Sequence, residues 1–284
     1  MFNRFLRSFA IKFTGFVALL LLSICVNIHG GSGIKPSRFP DHSEGKIIGG
    51  EPIKIENLPS AVQFFNFGSL CSGSIINSWS ILTAAHCFDN NKNIFNMVIQ
   101  VGARYVYDYD GDIRRVSDYV IHSNYSKAMP FACDIAIIFV NEVITFGSTV
   151  KKALLVTNES WKKENNKLVA AGWGWTKYGG PISDSGLMST RLHFVPKEKC
   201  ESMHKIKLTT DMFCLYGDGI RDTCKGDSGG GVLWNDMIVG IVSHGDGCSK
   251  KLKPSIYTNV FFFRKWIRSQ VKNFVESFCK KTKT

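Results

Sequence analysis

The chain has 284 residues, 44% of them hydrophobic and 20% charged, so it is long enough for two modest cores or one large one. This ordinary globular composition excludes a disordered or repetitive chain. The net charge is +12, and six basic and two acidic residues precede Ile47, which leaves 29 basic against 21 acidic side chains. Such an excess usually serves solubility, so we predict no nucleic-acid partner.

The first 30 residues have the layout of a secretory signal peptide. Arg4, Arg7 and Lys12 precede an apolar run from about Phe13 to Val26, and small and polar residues follow. The alternative is an uncleaved signal-anchor, but the run is shorter than the roughly 20 apolar residues that a membrane-spanning helix needs. We therefore expect a secreted, extracellular protein without a stable membrane anchor, with the signal peptide at 1–30.

A polar strip and a β-rich body follow. Residues 31–46 are rich in Gly, Pro, Ser and charge, which is typical of a flexible, exposed segment and suits a short activation peptide. From Ala61 to Val140, short strand-like runs alternate with Gly, Asn and Asp clusters, and a second set begins at Leu168 after a polar linker. These patterns favour an all-β body over a helical one.

The chain ends in a predicted helix over about 261–277. Its apolar residues recur at spacings of three and four with basic residues between them, which indicates an amphipathic helix. They are Phe263, Trp266, Ile267, Val271, Phe274 and Val275. Such a helix can bind a membrane surface, but we favour packing onto the second set of strands.

A candidate nucleophile, Ser228, lies among glycines in the stretch Asp222–Gly231. Such glycines allow a tight turn with exposed backbone N–H groups, which can hold the oxyanion formed when a hydroxyl attacks a carbonyl. A nucleophilic serine needs a base and a carboxylate that orients the base. His86 and Asp134 are the candidates, and they give the chain order His, Asp, Ser.

Six motifs resemble those of the trypsin-like serine proteases of the chymotrypsin family, which are secreted zymogens. They are Ile47–Gly50, Thr83–Cys87, Asp134–Ala136, Ala171–Gly174, Gly226–Gly230 and Ser243–Gly245. The resemblance implies an all-β, chymotrypsin-like fold: two six-stranded antiparallel Greek-key barrels packed together with a C-terminal α-helix. The peptidase domain would cover 47–284, with the first barrel at about 47–160 and the second at about 161–260.

The resemblance also implies the chemistry, which requires neither cofactor nor metal. Ser228 would attack the scissile carbonyl, His86 would move the proton, Asp134 would orient the imidazole, and the N–H groups of Gly226 and Ser228 would hold the oxyanion. We expect a monomer whose partners are polypeptide substrates and protein protease inhibitors. The alternative is a protease-like binding or regulatory protein with little activity.

Activation and specificity are implied in the same way. Cleavage after Lys46, by an upstream protease or by the protein itself, would free the Ile47 amine to pair with Asp227. Asp222, six residues before the nucleophile, would lie at the bottom of the primary pocket and favour Arg or Lys substrates.

The remaining pocket residues predict departures from trypsin. Ser255 stands where trypsin has glycine, so we expect a narrower pocket that prefers Lys over Arg or turns over more slowly. His244 replaces the usual tryptophan and predicts a smaller, more polar subsite. The rest of the expected substrate-binding set is Thr223, Lys225, Ser243 and Gly245.

Nine cysteines are present, and Cys25 lies in the signal segment, so eight remain for four disulfides. The family pattern pairs Cys71 with Cys87, Cys200 with Cys214, and Cys224 with Cys248. We expect a fourth bridge between the remaining two, Cys133 and Cys279, that would brace Asp134.

Two further sequence features give weaker predictions, both for the protein surface. Asn124 and Asn158 begin glycosylation sequons. The run Asp108–Asp112 lacks the spacing of a calcium loop, and Ala103 stands where the trypsin calcium loop opens with glutamate, so an exposed acidic turn is expected.

Overall fold

A computed structural model describes residues 47–108, 111–164, 166–175, 179 and 186–281. The predicted signal peptide, the pro-segment with Lys46, and Tyr109 and Asp110 of the acidic turn lie outside this part of the chain. The side chains of Cys279 and Lys281 lie outside it as well.

The described chain consists of short strands with two α-helices. In chain order these elements are β1 (Glu51–Pro52), β2 (Ala61–Asn66), β3 (Ser69–Asn77), β4 (Ser80–Thr83), β5 (Met97–Val101), β6 (Asp112–Ile121), β7 (Ala136–Val140), β8 (Leu154–Leu155), β9 (Lys167–Gly172), β10 (Met188–Val195), α1 (Lys197–His204), β11 (Met212–Tyr216), β12 (Gly231–Trp234), β13 (Met237–His244), β14 (Ser255–Asn259) and α2 (Val260–Lys281). Short 3₁₀ helices cover Ile55–Asn57, Ala85–Phe88 and Ile94–Asn96.

The strands form two closed antiparallel barrels of six strands each. The first pairs its strands in the order β2, β3, β4, β7, β6, β5 and closes on β2. The second runs β9, β10, β11, β14, β13, β12 and closes through the pairing of β12 with β9. Two-residue strands extend it, β1 on β10 and β8 on β13. The predicted all-β architecture is confirmed.

One apolar core joins the two barrels. Ile238 and Ile241 of β13 in the second barrel are packed with the buried side chains of the first barrel. Burial of apolar surface is the main favourable contribution to folding, so this shared core holds the barrels against each other. Side chains from both barrels are therefore held in fixed positions at the seam between them.

Helix α2 was predicted correctly as an element, and its packing on the second barrel was predicted in part. Its apolar face lies mainly on the first barrel, where Phe263 contacts His122, with ring centroids 5.0 Å apart, and Phe274 stacks on Phe139 of β7 at 3.9 Å. It also contacts β13 and β8 of the second barrel, from which the chain emerges at Asn259. Strand β7 is buried along its whole length because both of its faces are covered. In the part of the chain described, no helix is both long and apolar enough to cross a membrane.

Three of the four expected disulfides are present, namely Cys71–Cys87, Cys200–Cys214 and Cys224–Cys248. The fourth is not, because Cys133 is a free thiol. The Cys133 N–H donates to Asp211, whose carbonyl accepts from Asn259 just before α2, so Cys133 lies near the beginning of this helix. Cys279 comes twenty residues later, about 30 Å along the helix axis, far beyond the reach of a disulfide.

Candidate active site

His86 is placed by the end of a strand and by a disulfide. It follows β4 directly, in the 3₁₀ helix Ala85–Phe88, and its neighbour Cys87 is bonded to Cys71 of β3. The imidazole is thus attached to the rigid wall of the first barrel while its ring remains partly accessible.

Asp134 lies two residues before β7 and is fully buried. Its Oδ2 lies 2.8 Å from His86 Nδ1, and its Oδ1 accepts the His86 backbone N–H at 2.9 Å. Burial by itself would raise the pKa of Asp134, but the His86 charge and these hydrogen bonds outweigh it and hold the pKa below its ordinary value. Burial opposes the charged form of His86 too, yet Asp134 keeps the pKa of His86 above 6.5.

Ser243 gives this carboxylate a third donor. Its hydroxyl, at the end of β13, donates to Asp134 Oδ2 at 2.5 Å. The sequence predicted Ser243 only as a substrate-binding residue. The structure shows that it also holds the carboxylate behind His86, so the second barrel helps to fix an imidazole carried by the first.

Ser228 lies in the loop between β11 and β12, which is pressed against the first barrel. Its carbonyl accepts the Ser72 N–H of β3 at 2.7 Å. Next to it, Gly229 has φ +81°, and a Cβ there would lie 2.1 Å from Thr83 Oγ1, so only glycine permits this approach. Gly226 has φ +101° and accepts the Ser72 hydroxyl on its carbonyl. Ser228 and His86 line the same cleft, of about 250 Å³.

Phe131 is a cleft residue that the sequence analysis missed. It stacks on His244, with centroids 4.3 Å apart and an angle of 15°, and presents its edge to the His86 ring at 5.8 Å. Its position three residues before Asp134 was the only available signal. His244 Nδ1 lies 3.1 Å from the Ser243 hydroxyl, and burial lowers the pKa of His244 to about 4, so this ring is a neutral wall.

Asp222 is buried behind the cleft, and its carboxylate is already hydrogen-bonded. Oδ1 accepts from the Thr223 N–H and from the Ser255 hydroxyl, at 2.9 and 2.7 Å, while Oδ2 accepts from the Ser249 N–H at 2.8 Å. Burial raises the pKa of Asp222 to about 6, although these bonds act in the opposite direction. Ser255 lines the cleft itself, so its hydroxyl lies between the cleft and the carboxylate.

Three other predicted pocket residues border the cleft as well. Thr223, Lys225 and Gly245 line it, and the Lys225 ammonium lies over the Trp175 ring at 5.1 Å from its centroid. Asp246, which follows Gly245 in the chain, is paired with Lys250 and Lys253.

Asp227, the expected partner of a freed Ile47 amine, is fully buried. It accepts the N–H groups of Gly174 and Cys224, at 2.8 and 2.9 Å, yet burial raises its pKa to about 7. Ile47 is itself buried, and Ile48 next to it is bridged to Asp222.

The asparagines of the two sequons and Asp112 of the acidic turn lie on the surface. Asn124 and Asn158 are exposed. In the described part of the acidic turn, the Asp112 carboxylate is paired with Arg114, and Ala103 is buried.

The cleft at the seam between the two barrels thus brings together a serine and an imidazole, with a buried carboxylate beside the imidazole. The family model named Trypsin matches residues 47–267, which is most of the chain. This protein belongs to the trypsin family of serine endopeptidases.

Its similar relatives include Hypodermin-B of Hypoderma lineatum, 32% identical over 91% of this chain and 99% of that protein. Cationic trypsin-3 of Rattus norvegicus is 33% identical over 81% of this chain and 92% of its own length. Trypsin of Sus scrofa is 29% identical over 82% and 99% respectively.

Proposed function

We propose that this serine endopeptidase is a secreted zymogen, activated by cleavage after Lys46, that hydrolyses peptide bonds after Lys or Arg with the triad Ser228, His86 and Asp134. The observation that carries the proposal is the buried Asp134–His86 pair, with 2.8 Å between its atoms, in a cleft that Ser228 also lines.

In the proposed first step, His86 Nε2 takes the Ser228 proton as the Ser228 hydroxyl oxygen bonds to the scissile carbonyl carbon. The resulting oxyanion is held by the N–H groups of Gly226 and Ser228. The imidazolium then gives its proton to the leaving amine, and water repeats the sequence on the acyl-enzyme. Three hydrogen bonds on Asp134 support this role, because they keep the carboxylate ionised beside the imidazolium.

The Lys or Arg preference rests on Asp222. A carboxylate with three internal hydrogen bonds has roughly one acceptor position left of its four. The Ser255 hydroxyl, having donated to Asp222, can still accept from an ammonium. A compact lysine ammonium suits this floor better than the planar guanidinium of arginine, which is recognised best by a free carboxylate.

Activation rests on Asp227. Among the described residues Asp227 has no cationic partner, and burial raises its pKa to about 7 in the uncut chain. Cleavage after Lys46 would supply the Ile47 ammonium, which favours the ionised carboxylate and fixes the loop that carries Gly226 and Ser228. The identity of the activating protease, a monomeric state and protein inhibitors as partners belong to the same proposal.

The test is hydrolysis of fluorogenic peptides that differ only in the residue before the scissile bond, by protein cut after Lys46. We expect cleavage after Lys and Arg, loss of activity in Ser228→Ala, and no activity in uncut protein. Cleavage after large apolar residues would disprove the Asp222 assignment.

One competing hypothesis is a binding or regulatory protein with little activity. It is favoured by the hydrogen bonds that already cover the Asp222 carboxylate, because they leave less of it free for a substrate. A serine-reactive fluorophosphonate distinguishes the two, because only an activated serine is labelled rapidly. Cut and folded protein that neither hydrolyses the peptides nor takes the label would support the binding protein.

A further inference from the structure

A second concave surface lies apart from the catalytic cleft. It is a groove of about 690 Å³ formed by the first turns of α2, the junction of β10 with α1, and the segment that leads into β11. It shares none of its described lining residues with the catalytic cleft. Its size falls within the range of ordinary ligand sites. We call it the α2 groove.

The floor of the α2 groove is apolar. Val195, Met212 and Phe213 are buried beneath it, and Phe261 is partly buried at its side. Phe262 also lines it and keeps 51% of its surface exposed. An exposed aromatic ring next to buried apolar side chains is a common feature of binding surfaces, because a partner that covers it removes the ring from water.

The rim is basic. Lys162, Lys197, Arg264 and Lys265 surround the floor, and Glu159 is the one acidic residue among the described lining, so the formal charge there is +3. Glu159 is neutralised by its ion pair with Lys162. Lys197 lies 3.9 Å from Glu201. Within the described chain, Lys265 has no acidic partner, and the Arg264 guanidinium donates to the Thr157 carbonyl and lies over the Phe261 ring.

Two buried polar atoms of the lining residues also lack hydrogen-bond partners. They are the Thr209 hydroxyl oxygen and Arg264 Nε. Buried polar groups in folded proteins nearly always have a partner, so each marks a position where a water or a ligand group is expected.

We infer that the α2 groove binds an acidic peptide segment of a partner protein, with an apolar side chain, preferably aromatic, between the acidic residues. The cations come from separate elements around an apolar floor, so the ligand must carry several spaced negative charges and one apolar group. A peptide supplies both, whereas a uniformly charged polysaccharide or nucleic acid leaves the floor and Phe262 without a partner.

The test is direct binding of a fluorescein-labelled peptide with acidic residues on both sides of one phenylalanine, measured by fluorescence anisotropy. Full-length protein carrying Ser228→Ala is used, so that proteolysis does not interfere. We expect saturable binding that weakens with added salt and weakens about tenfold in Lys265→Glu, the size expected when one attractive contact becomes repulsive. Phe262→Ser should weaken binding by a similar factor.

Lys151→Glu is the matched control, since Lys151 is exposed, has no ion pair in the described chain and lies outside the groove. It makes the same change in net charge and should leave the affinity unchanged. Equal weakening by both lysine variants would reduce the effect to net charge and overturn the proposal. Equal binding of a peptide with serine in place of phenylalanine would do the same, because it would indicate a general polyanion site.

Sedimentation of the free protein supplies a further check. A dimer that Lys265→Glu dissociates would assign the groove to self-association and contradict the proposal. This inference does not rest on the proposed catalytic function. Binding is measured without catalysis, and cut Lys265→Glu protein should hydrolyse short peptides as well as the unmodified enzyme does.

Discussion

Asp134 carries its charge without contact with water, because the His86 ring, the His86 N–H and the Ser243 hydroxyl surround it. Asp134→Asn should preserve the packing and lower kcat by about four orders of magnitude, since the amide orients the wrong imidazole tautomer. Hydrolysis of the best peptide by cut protein measures this loss. Asp236→Asn, in an exposed turn, is the matched control, and an equal loss there would refute the assignment.

The same pair predicts the direction of the pH dependence. In the proposed mechanism hydrolysis requires neutral His86, and Asp134 raises the pKa of His86 above its ordinary value of 6.5. In the cut wild type, kcat/KM should therefore fall as the pH drops through a midpoint above 6.5. In Asp134→Asn the larger raising charge is gone and only the smaller effect of Asp89 is left. Because burial still opposes the imidazolium, the midpoint of the residual activity should move down. An unchanged midpoint would show that another group controls the profile.

Ser255 is expected to set the balance between lysine and arginine. Ser255→Gly would remove the hydroxyl that covers Asp222 and free one acceptor position on the carboxylate. The ratio of kcat/KM for Arg over Lys peptides should rise by about tenfold, which corresponds to ~1.4 kcal/mol. Thr223 keeps its N–H bond to Asp222 in both proteins, so the pocket floor should stay in place. A ratio that stays constant would show that the hydroxyl does not control access to Asp222.

Residue motifs predicted much of the site because turn chemistry and spacing are local properties. His86, Asp134 and Ser228 each occur in a short recognisable stretch. Phe131 and the bond from Ser243 to Asp134 were missed, because both depend on which side chains the barrels bring together. The covering of Asp222 by Ser255 was predicted in outline, but not that two further N–H groups occupy the carboxylate.

At the scale of elements, periodicity predicted that α2 exists but not what it packs against. Spacings of three and four mark an apolar face, yet they do not identify the surface that covers it. Phe263 lies on that face and is 2% exposed, while its neighbour Phe262 is 51% exposed.

This pair of phenylalanines gives a stability prediction. Phe263→Ala should lower the free energy of unfolding by about 3–5 kcal/mol, because it leaves a cavity between α2 and the first barrel. Phe262→Ala, the matched change at an exposed position, should cost below about 0.5 kcal/mol. Chemical denaturation in the Ser228→Ala background measures both. Similar losses would mean that the helix face is assigned wrongly.

At the scale of the molecule, the barrels are not independent, because Ile238 and Ile241 of the second barrel belong to the core of the first. Ile241→Ala should therefore destabilise both together, by about 2–5 kcal/mol. Tryptophan fluorescence and far-ultraviolet circular dichroism should report one coincident transition, shifted to lower denaturant. Two separated transitions in the variant would show that each barrel folds alone.

The two barrels could be predicted from motif order, whereas their junction could not, since long-range packing leaves little trace in local patterns. The error over Cys133 has the same origin. An even cysteine count suggested a fourth bridge, but the direction of α2 carries Cys279 away from it.

The free thiol of Cys133 can report on local motion around Asp134 through the rate at which it is alkylated. Burial raises the pKa of Cys133 to about 11, so the folded form is nearly unreactive at neutral pH. Alkylation of Cys133 at neutral pH should therefore be slow, and it should become faster when the segment next to Asp134 loosens and the thiol loses its burial. The Asp134 carboxylate thus has a thiol reporter as its immediate neighbour in the chain, and peptide mapping after alkylation distinguishes Cys133 from the other cysteines.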